Sequence, residues 1–311
     1  MPPDQLLSAV ARLVLPASCA GCGRWETTLC EDCAALLTGP LERVEHVRAV
    51  EDLEVAAPAR YSGPVRPIVL GWKNGAREDL DAVVAEAGRR AGAAWAQDRL
   101  LAPDGGARPA SGDRPAGTAV GSPGGPLLVV PAPSGVGRRL RGRLVVARLA
   151  DDVARGVAEA LRGSAAGRAT GPGDSAATGA GPEGQRPRAT LPTAVLSADV
   201  LRRDRRRAST HQAGLSARGR RSNRAREPRV LADVAGARVL LVDDVVTTGA
   251  TLGACARALR AVGAEVLGAL VLAAAPPPTT AHPRVPGGGV RRPAPGAEGA
   301  PAGAPGTDEH R

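Results

Sequence analysis

Apolar residues along the chain change spacing from segment to segment, and those changes predict the elements. Leu127-Leu-Val-Val130 is a short unbroken apolar run ending at Pro131, which predicts a strand. From Arg138 to Leu161, Leu140, Leu144, Val145, Leu149, Val153 and Val157 fall at helical spacing and predict an amphipathic helix. Ala194 to Leu201 predicts a strand, and residues 202–229 form an Arg-dense polar stretch with little periodicity. Ala237 to Val242 is fully apolar and predicts a buried strand. Thr251 to Val262 predicts a helix, with Gly263 at the position that ends one, and Glu265 to Ala273 predicts another buried strand. Nearer the start, Leu53 to Tyr61 predicts a strand. Pro64 to Gly71 and Leu80 to Arg99 have helical spacing, with Asp79 as an expected N-cap. Strands alternating with helices imply an α/β fold with a parallel sheet and right-handed crossovers. Continuous apolar strands agree, since a central parallel strand is covered on both faces.

Between these elements the pattern lapses. Residues 101–126 and 163–190 are rich in Gly, Pro, Ala and Ser and are expected to be disordered insertions, and residues 276–311 a disordered tail. The expected organisation is therefore a cysteine-bearing head at 1–38, a first group of elements at 50–100, and a core at 127–275.

Composition narrows the core and the partners. The 311 residues include 40 Gly and 28 Pro but no Phe, one Tyr and three Trp, so the core is built from Val, Leu and Ala. Of the 41 basic residues only Lys73 is a lysine. The net charge of +10 favours anionic partners without choosing among phosphates, nucleic acid and anionic membrane. Scarce aromatics weaken a reading based on stacking single-stranded bases. No apolar run approaches the roughly 20 residues of a membrane span. Leu13 to Cys19 faintly resembles a lipoprotein cleavage site, but Asp4 precedes it, Arg12 interrupts it, and no basic segment leads it. Gln5 to Leu15 reads better as a short amphipathic helix, and a cytoplasmic protein is expected.

Two segments carry chemistry. In Val239-Leu-Leu-Val-Asp243-Asp244-Val-Val-Thr247-Thr248-Gly249-Ala250-Thr251, a buried strand leads to two carboxylates and then to a hydroxyl-rich turn before a helix. Helix N-terminal N–H groups make an anion site, and Gly249 permits a tight turn with positive φ. Thr247, Thr248 and Thr251 add hydroxyl donors. A phosphate would not want Asp243 and Asp244 beside it, but the vicinal hydroxyls of a ribose would, so the loop describes a ribose 5-phosphate site. The Gly-Lys-Ser/Thr of a P-loop is absent. The thirteen residues resemble the phosphoribosyl-pyrophosphate (PRPP) signature of type I phosphoribosyltransferases. That resemblance implies that Asp243 and Asp244 hold the ribose hydroxyls and that Thr247, Thr248, Gly249, Ala250 and Thr251 hold the 5′-phosphate.

The second segment is the pair Cys19-Ala-Gly-Cys22 and Cys30-Glu-Asp-Cys33. Four thiolates at this spacing can close a tetrahedral, structural Zn2+ site, and Gly21 and Gly23 suit the tight turn of the first knuckle. Redox-active Cys-x-x-Cys pairs are the competing reading. Cys255 reads as a small buried residue. His46, His211, His282 and His310 suggest no second metal.

Head and loop together resemble the ComF family, competence-associated phosphoribosyltransferase-like proteins with an N-terminal zinc ribbon. Leu15-Pro16 before the first knuckle, Tyr61-Ser-Gly63, and Leu70-Gly-Trp-Lys73-Asn-Gly75 are similar to that family's segments. So are Val130-Pro131-Ala-Pro133-Ser134 with Arg138, Arg139, Arg141 and Gly142, and the stretch holding Arg202, Arg203, Thr210, Gln212, Leu215, Arg221 and Asn223. Arg141-Gly142-Arg143-Leu144-Val145 departs from the family's Arg-Gly-Phe-Asn-Gln. The resemblance implies a type I phosphoribosyltransferase-like parallel sheet with a small zinc-ribbon module, binding PRPP with Mg2+. Lys73, Ser134, Arg138, Arg139, Arg141 and Arg221 are candidates to meet pyrophosphate, with a solvated basic surface as the alternative for the arginines. It also implies either pentosyl transfer in DNA uptake or nucleotide salvage, or a non-catalytic protein that senses PRPP or binds single-stranded DNA. Competence helicase-type proteins are the corresponding protein partners.

Overall fold

The computed structural model describes residues 17–47, 53–102, 125–133, 144–169, 191–203 and 227–277. The expected helix from Gln5 to Leu15, nearly all of the tail, most of both insertions and residues 204–226 lie outside the described residues, as do positions 138–143 of the expected helix.

After the cysteine head and its short helix α1 (Glu31–Ala35) come β1 (Glu42–Arg43) and β2 (Val55–Ala57). Helix α2 (Val65–Asn74), a 3-10 turn (Glu78–Leu80) and the long α3 (Asp81–Arg99) follow. The rest is β3 (Leu127–Pro131), α4 (Val145–Ala169), β4 (Val195–Ser197), β5 (Leu201–Arg202), β6 (Arg229–Val230), β7 (Arg238–Val246), α5 (Ala250–Ala261) and β8 (Glu265–Ala274).

Six strands form one sheet in the order β1-β2-β8-β7-β3-β4, parallel except for the antiparallel β1–β2 pair. The expected parallel α/β architecture is present. Strands β7 and β8 occupy the centre, which is why their sequences are apolar throughout. Leu240 and Val242 face a core formed with α2, α3 and α4, whereas Val239 and Leu241 face a second core under α5. Strand side chains alternate between faces, so one strand feeds both cores.

The structure departs from the pattern reading at several points; the strand expected from Leu53 to Tyr61, for one, is only Val55–Ala57. Asp79 is not an N-cap: Leu80 occupies that position without a side-chain cap, and the Asp79 carboxylate instead accepts from Arg77 at 2.9 and 3.0 Å. A 3-10 turn precedes the helix, and the local ion pair takes the acid. Helix α4 runs on to Ala169, into the stretch read as an insertion, because Ala and Arg sustain a helix without an apolar stripe. The expected strand from Ala194 to Leu201 divides. Val195–Ser197 joins the main sheet, while Leu201–Arg202 pairs antiparallel with β6. Strand β7 continues four residues past Val242, so the acid pair lies within it rather than after it.

Helices α3 and α4 cross closely. A Cβ on Gly92 would meet the Val153 carbonyl, and one on Gly156 would meet the Arg89 backbone. These glycines are needed for lack of volume.

Candidate functional site

The C-terminal ends of β3, β7 and β8 meet at one edge of the sheet. The Ala132 N–H donates to the Val242 carbonyl at 2.7 Å, and the Ala275 N–H to Val246 at 2.8 Å. The loop leaving β3 therefore starts beside the acid pair. This is the edge at which ligands of parallel sheets bind.

Alternation within β7 sends the two acids to opposite faces. Asp244 is buried, 3% exposed, on the side of α2, and Lys73 in the last turn of that helix forms an ion pair with its Oδ2. Asp243 is half-buried on the side of α5, where Arg203 acts on it electrostatically and it in turn acts on the Cys255 thiol. Burial, and then the neighbouring Asp244 carboxylate, push the Asp243 carboxyl up to about 7 against the pull of the Asp244 N–H, Lys73 and Arg203. Each acid is also tied to backbone: the Asp244 N–H donates to Asp243 Oδ1 and the Val245 N–H to Asp244 Oδ1, both at 2.8 Å. The strand edge thus presents one carboxyl neutralised by a lysine and one that gains and loses its proton near neutral pH.

Immediately beyond, Thr247 and Thr248 are exposed and Gly249 turns at φ 75°, ψ 1° into α5. A residue with a Cβ is disfavoured in that conformation. The Gly253 N–H makes its helical bond to the Gly249 carbonyl at 2.8 Å, so the preceding first-turn N–H groups have no intrahelical acceptor and point at the turn. Thr248 Oγ1 accepts weakly from the Ala250 N–H at 3.4 Å, and Thr251 is half-buried at the helix start. An oxyanion in this turn would meet N–H groups, hydroxyls and the positive end of the helix.

Asp243, Asp244, Thr247, Thr248, Gly249, Ala250, Thr251 and Lys73 therefore lie together, whereas Ser134, Arg138, Arg139, Arg141 and Arg221 fall outside the described residues. Lys73 meets Asp244 directly and acts on Asp243 only through its charge. In the sequence Arg203 stands out only as part of a motif, yet its Nε donates to the Pro133 carbonyl at 3.0 Å, and its charge acts on Asp243. In a chain with so many arginines its identity gave no signal. The thiol of Cys255 is buried and pushed up to about 12 by that burial and by Asp243, so it is an inert filler under the turn.

Residues 191–284 match the family model of the phosphoribosyl transferase domain. The match spans β4 to β8 and contains the acid pair and the glycine turn; the cysteine head and helices α1 to α4 lie before it. A comparison with curated proteins gives no match. A mostly parallel α/β sheet with this segment at its centre is consistent with a type I phosphoribosyltransferase fold.

A second centre lies in the head. The sulfurs of Cys19, Cys22, Cys30 and Cys33 are all within 4.8 Å of one another. Cys19–Cys30 and Cys22–Cys30 are each 3.7 Å apart. Tetrahedral Zn–S bonds of about 2.3 Å place sulfurs about 3.8 Å apart, so the set fits a zinc ion. Burial works against ionisation of Cys19, but N–H donation from Cys30, Cys22 and Gly21 outweighs it and sets its pKa at about 6. Such N–H···S contacts are what a metal-binding thiolate requires. With four sulfur ligands a bound metal ion would keep no open position. Among the described residues no helix is long and apolar enough to cross a membrane.

Proposed function

We propose that this protein binds PRPP at the β7–α5 turn and transfers its phosphoribosyl group to an acceptor. The observation that carries the reading is the succession, at the end of one central strand, of an acid pair, a left-handed glycine and a helix N-terminus. The turn takes the 5′-phosphate through N–H groups and the hydroxyls of Thr247, Thr248 and Thr251. Asp243 and Asp244 accept from the ribose hydroxyls, which requires Lys73 to leave Asp244, and the pyrophosphate is where the released ammonium would go. When bound, Mg2+ supplies charge neutralisation for the leaving pyrophosphate. Arg203 adds positive charge on the Asp243 side, and the loop that follows Pro133 starts next to it. Electrostatic groups placed before the reaction are the main source of acceleration in such displacements.

Titration calorimetry of PRPP with Mg2+ tests the binding step, with Asp243→Asn and Asp244→Asn as controls. Pyrophosphate release with a panel of bases and amines tests turnover. Tight PRPP binding with no release on any acceptor would reduce the activity to PRPP sensing. The cysteine centre ahead of the ribose-phosphate turn supports placing the chain with ComF-like proteins. A link to DNA uptake rests on that resemblance alone, and a DNA affinity that does not weaken with salt would refute it.

A further inference from the structure

The cysteine head and the ribose-phosphate turn share a physical link in helix α2. At one end of the link, Ile68 of α2 is fully buried against the first knuckle. A Cβ built on Gly21 would lie 2.7 Å from Cys33 Sγ and 3.0 Å from Ile68 Cδ1. Knuckle and helix are thus packed with no room for a methyl group. Just past the helix, Arg77 reaches back to the head. Its guanidinium donates to the Thr28 carbonyl at 2.6 Å and the Ser18 carbonyl at 3.3 Å, and Asp79 holds it in that pose at 2.9 Å. Ser18 directly precedes Cys19, and Thr28 stands two residues before Cys30. At the other end, one residue before the helix finishes, Lys73 pairs with buried Asp244. Trp72, its neighbour, is fixed by donating to Asp81 at 3.0 Å.

We propose that the cysteine head is a positioning element for the ribose-phosphate site: through Ile68 and Arg77 it holds α2 at the height that sets Lys73 on Asp244. A lysine has a flexible stem and a large rotamer entropy to lose, so a fixed helix end is what makes the pair persist. A zinc ion held by the four cysteines would do no chemistry in this arrangement; it would tie the two knuckles together and so keep the Ser18 and Thr28 carbonyls within reach of Arg77. Arg77 and Ile68 are accordingly positioning residues that act through Lys73. The proposal builds on the ribose-phosphate reading of the turn, yet it is tested without PRPP.

Lys73 is the chain's one lysine, which makes its ammonium a single-site reporter. An amine held against a buried carboxylate must leave it before it can be acylated. The full-length protein is treated with an acetylating reagent, and acetylation of Lys73 is followed by peptide mass spectrometry, which separates it from the N-terminal amine. Asp244→Asn sets the rate for a released lysine, expected to be about tenfold above wild type for the loss of one charge-assisted contact. Arg77→Met, with zinc content and thermal melting recorded, is expected to approach that rate while the sheet stays folded. Zinc-stripped wild-type protein is the second arm and is expected to behave likewise. Should Arg77→Met fail to fold, Ile68→Val loosens the other contact between head and helix, the packing on the first knuckle, by one methyl group. An unchanged rate in any folded arm, or in Asp244→Asn, overturns the proposal. If the rates move as expected but PRPP does not bind to wild type, the positioning stands and the ribose-phosphate reading falls.

Discussion

Replacing Asp243 with Asn should make the protein more stable and less functional, and the gain should depend on pH in a defined way. The carboxyl is pushed from 3.8 up to about 7 by burial and by Asp244. An acid whose pKa is raised by folding contributes stability that is complete below its unfolded pKa and is lost as pH rises through the folded one. Between pH 4 and 7 the unfolded chain therefore gains by ionising while the folded chain does not, and the penalty levels off above about 7. At about 1.4 kcal/mol per pKa unit the ceiling is about 4 kcal/mol. Asp243 is only half-buried, and solvent screening of its exposed part reduces this to about 2 kcal/mol. The Asn side chain keeps an Oδ1 acceptor for the Asp244 N–H, bonded at 2.8 Å in the native strand, so geometry is preserved. Thermal melts of wild type and Asp243→Asn at pH 4, 6 and 8 are the assay. The variant should match wild type at pH 4 and melt about 4–8 °C higher at pH 8, taking 2–4 °C per kcal/mol for a chain of this size. PRPP affinity should fall in the same variant. A stability difference that is the same at pH 4 and 8, or a variant that melts lower at pH 8, would refute the reasoning.

Lys73→Met should destabilise by about 1–3 kcal/mol in urea unfolding, because it leaves a carboxylate that is 3% exposed without its cation; the lysine's own partial exposure keeps the cost below that of a fully buried pair. Gly249→Ala should cost about 1 kcal/mol from forcing a side chain into φ 75°, and should weaken PRPP binding by more than the small fall in melting temperature would suggest. Gly156→Ala should cost about 1–3 kcal/mol by pushing α4 away from the Arg89 backbone, read as a lower urea midpoint, with zinc content unchanged.

Much of this protein was legible in one dimension because the forces concerned are short-ranged. Short apolar runs rich in Val and Leu, set off by turn residues or alternating with helical segments, favour buried strands, so β3, β7 and β8 were readable from their composition. The turn from Thr247 to Gly249 is local backbone chemistry, and Gly263, at φ 82°, ends α5 as its identity implied. The cysteine spacing likewise contained its own geometry: two knuckles that bring four sulfurs within 4.8 Å.

What only the tertiary structure decided is which distant groups meet. Helix α2 packs on the face of β7 that holds Asp244 and not on the face that holds Asp243, so Lys73 neutralises one acid and leaves the other raised in pKa. Nothing near Lys73 in the chain announces that pairing. The same holds for Arg203 against the Pro133 carbonyl, and for Arg77, whose partners Ser18 and Thr28 belong to the head. Where local pattern failed, at Asp79 and at the far end of α4, the competing interactions were a neighbouring guanidinium and simple helix propensity, neither of which leaves an apolar signature. Periodicity records which face of an element is buried; the crossovers of the sheet determine what that face is buried against.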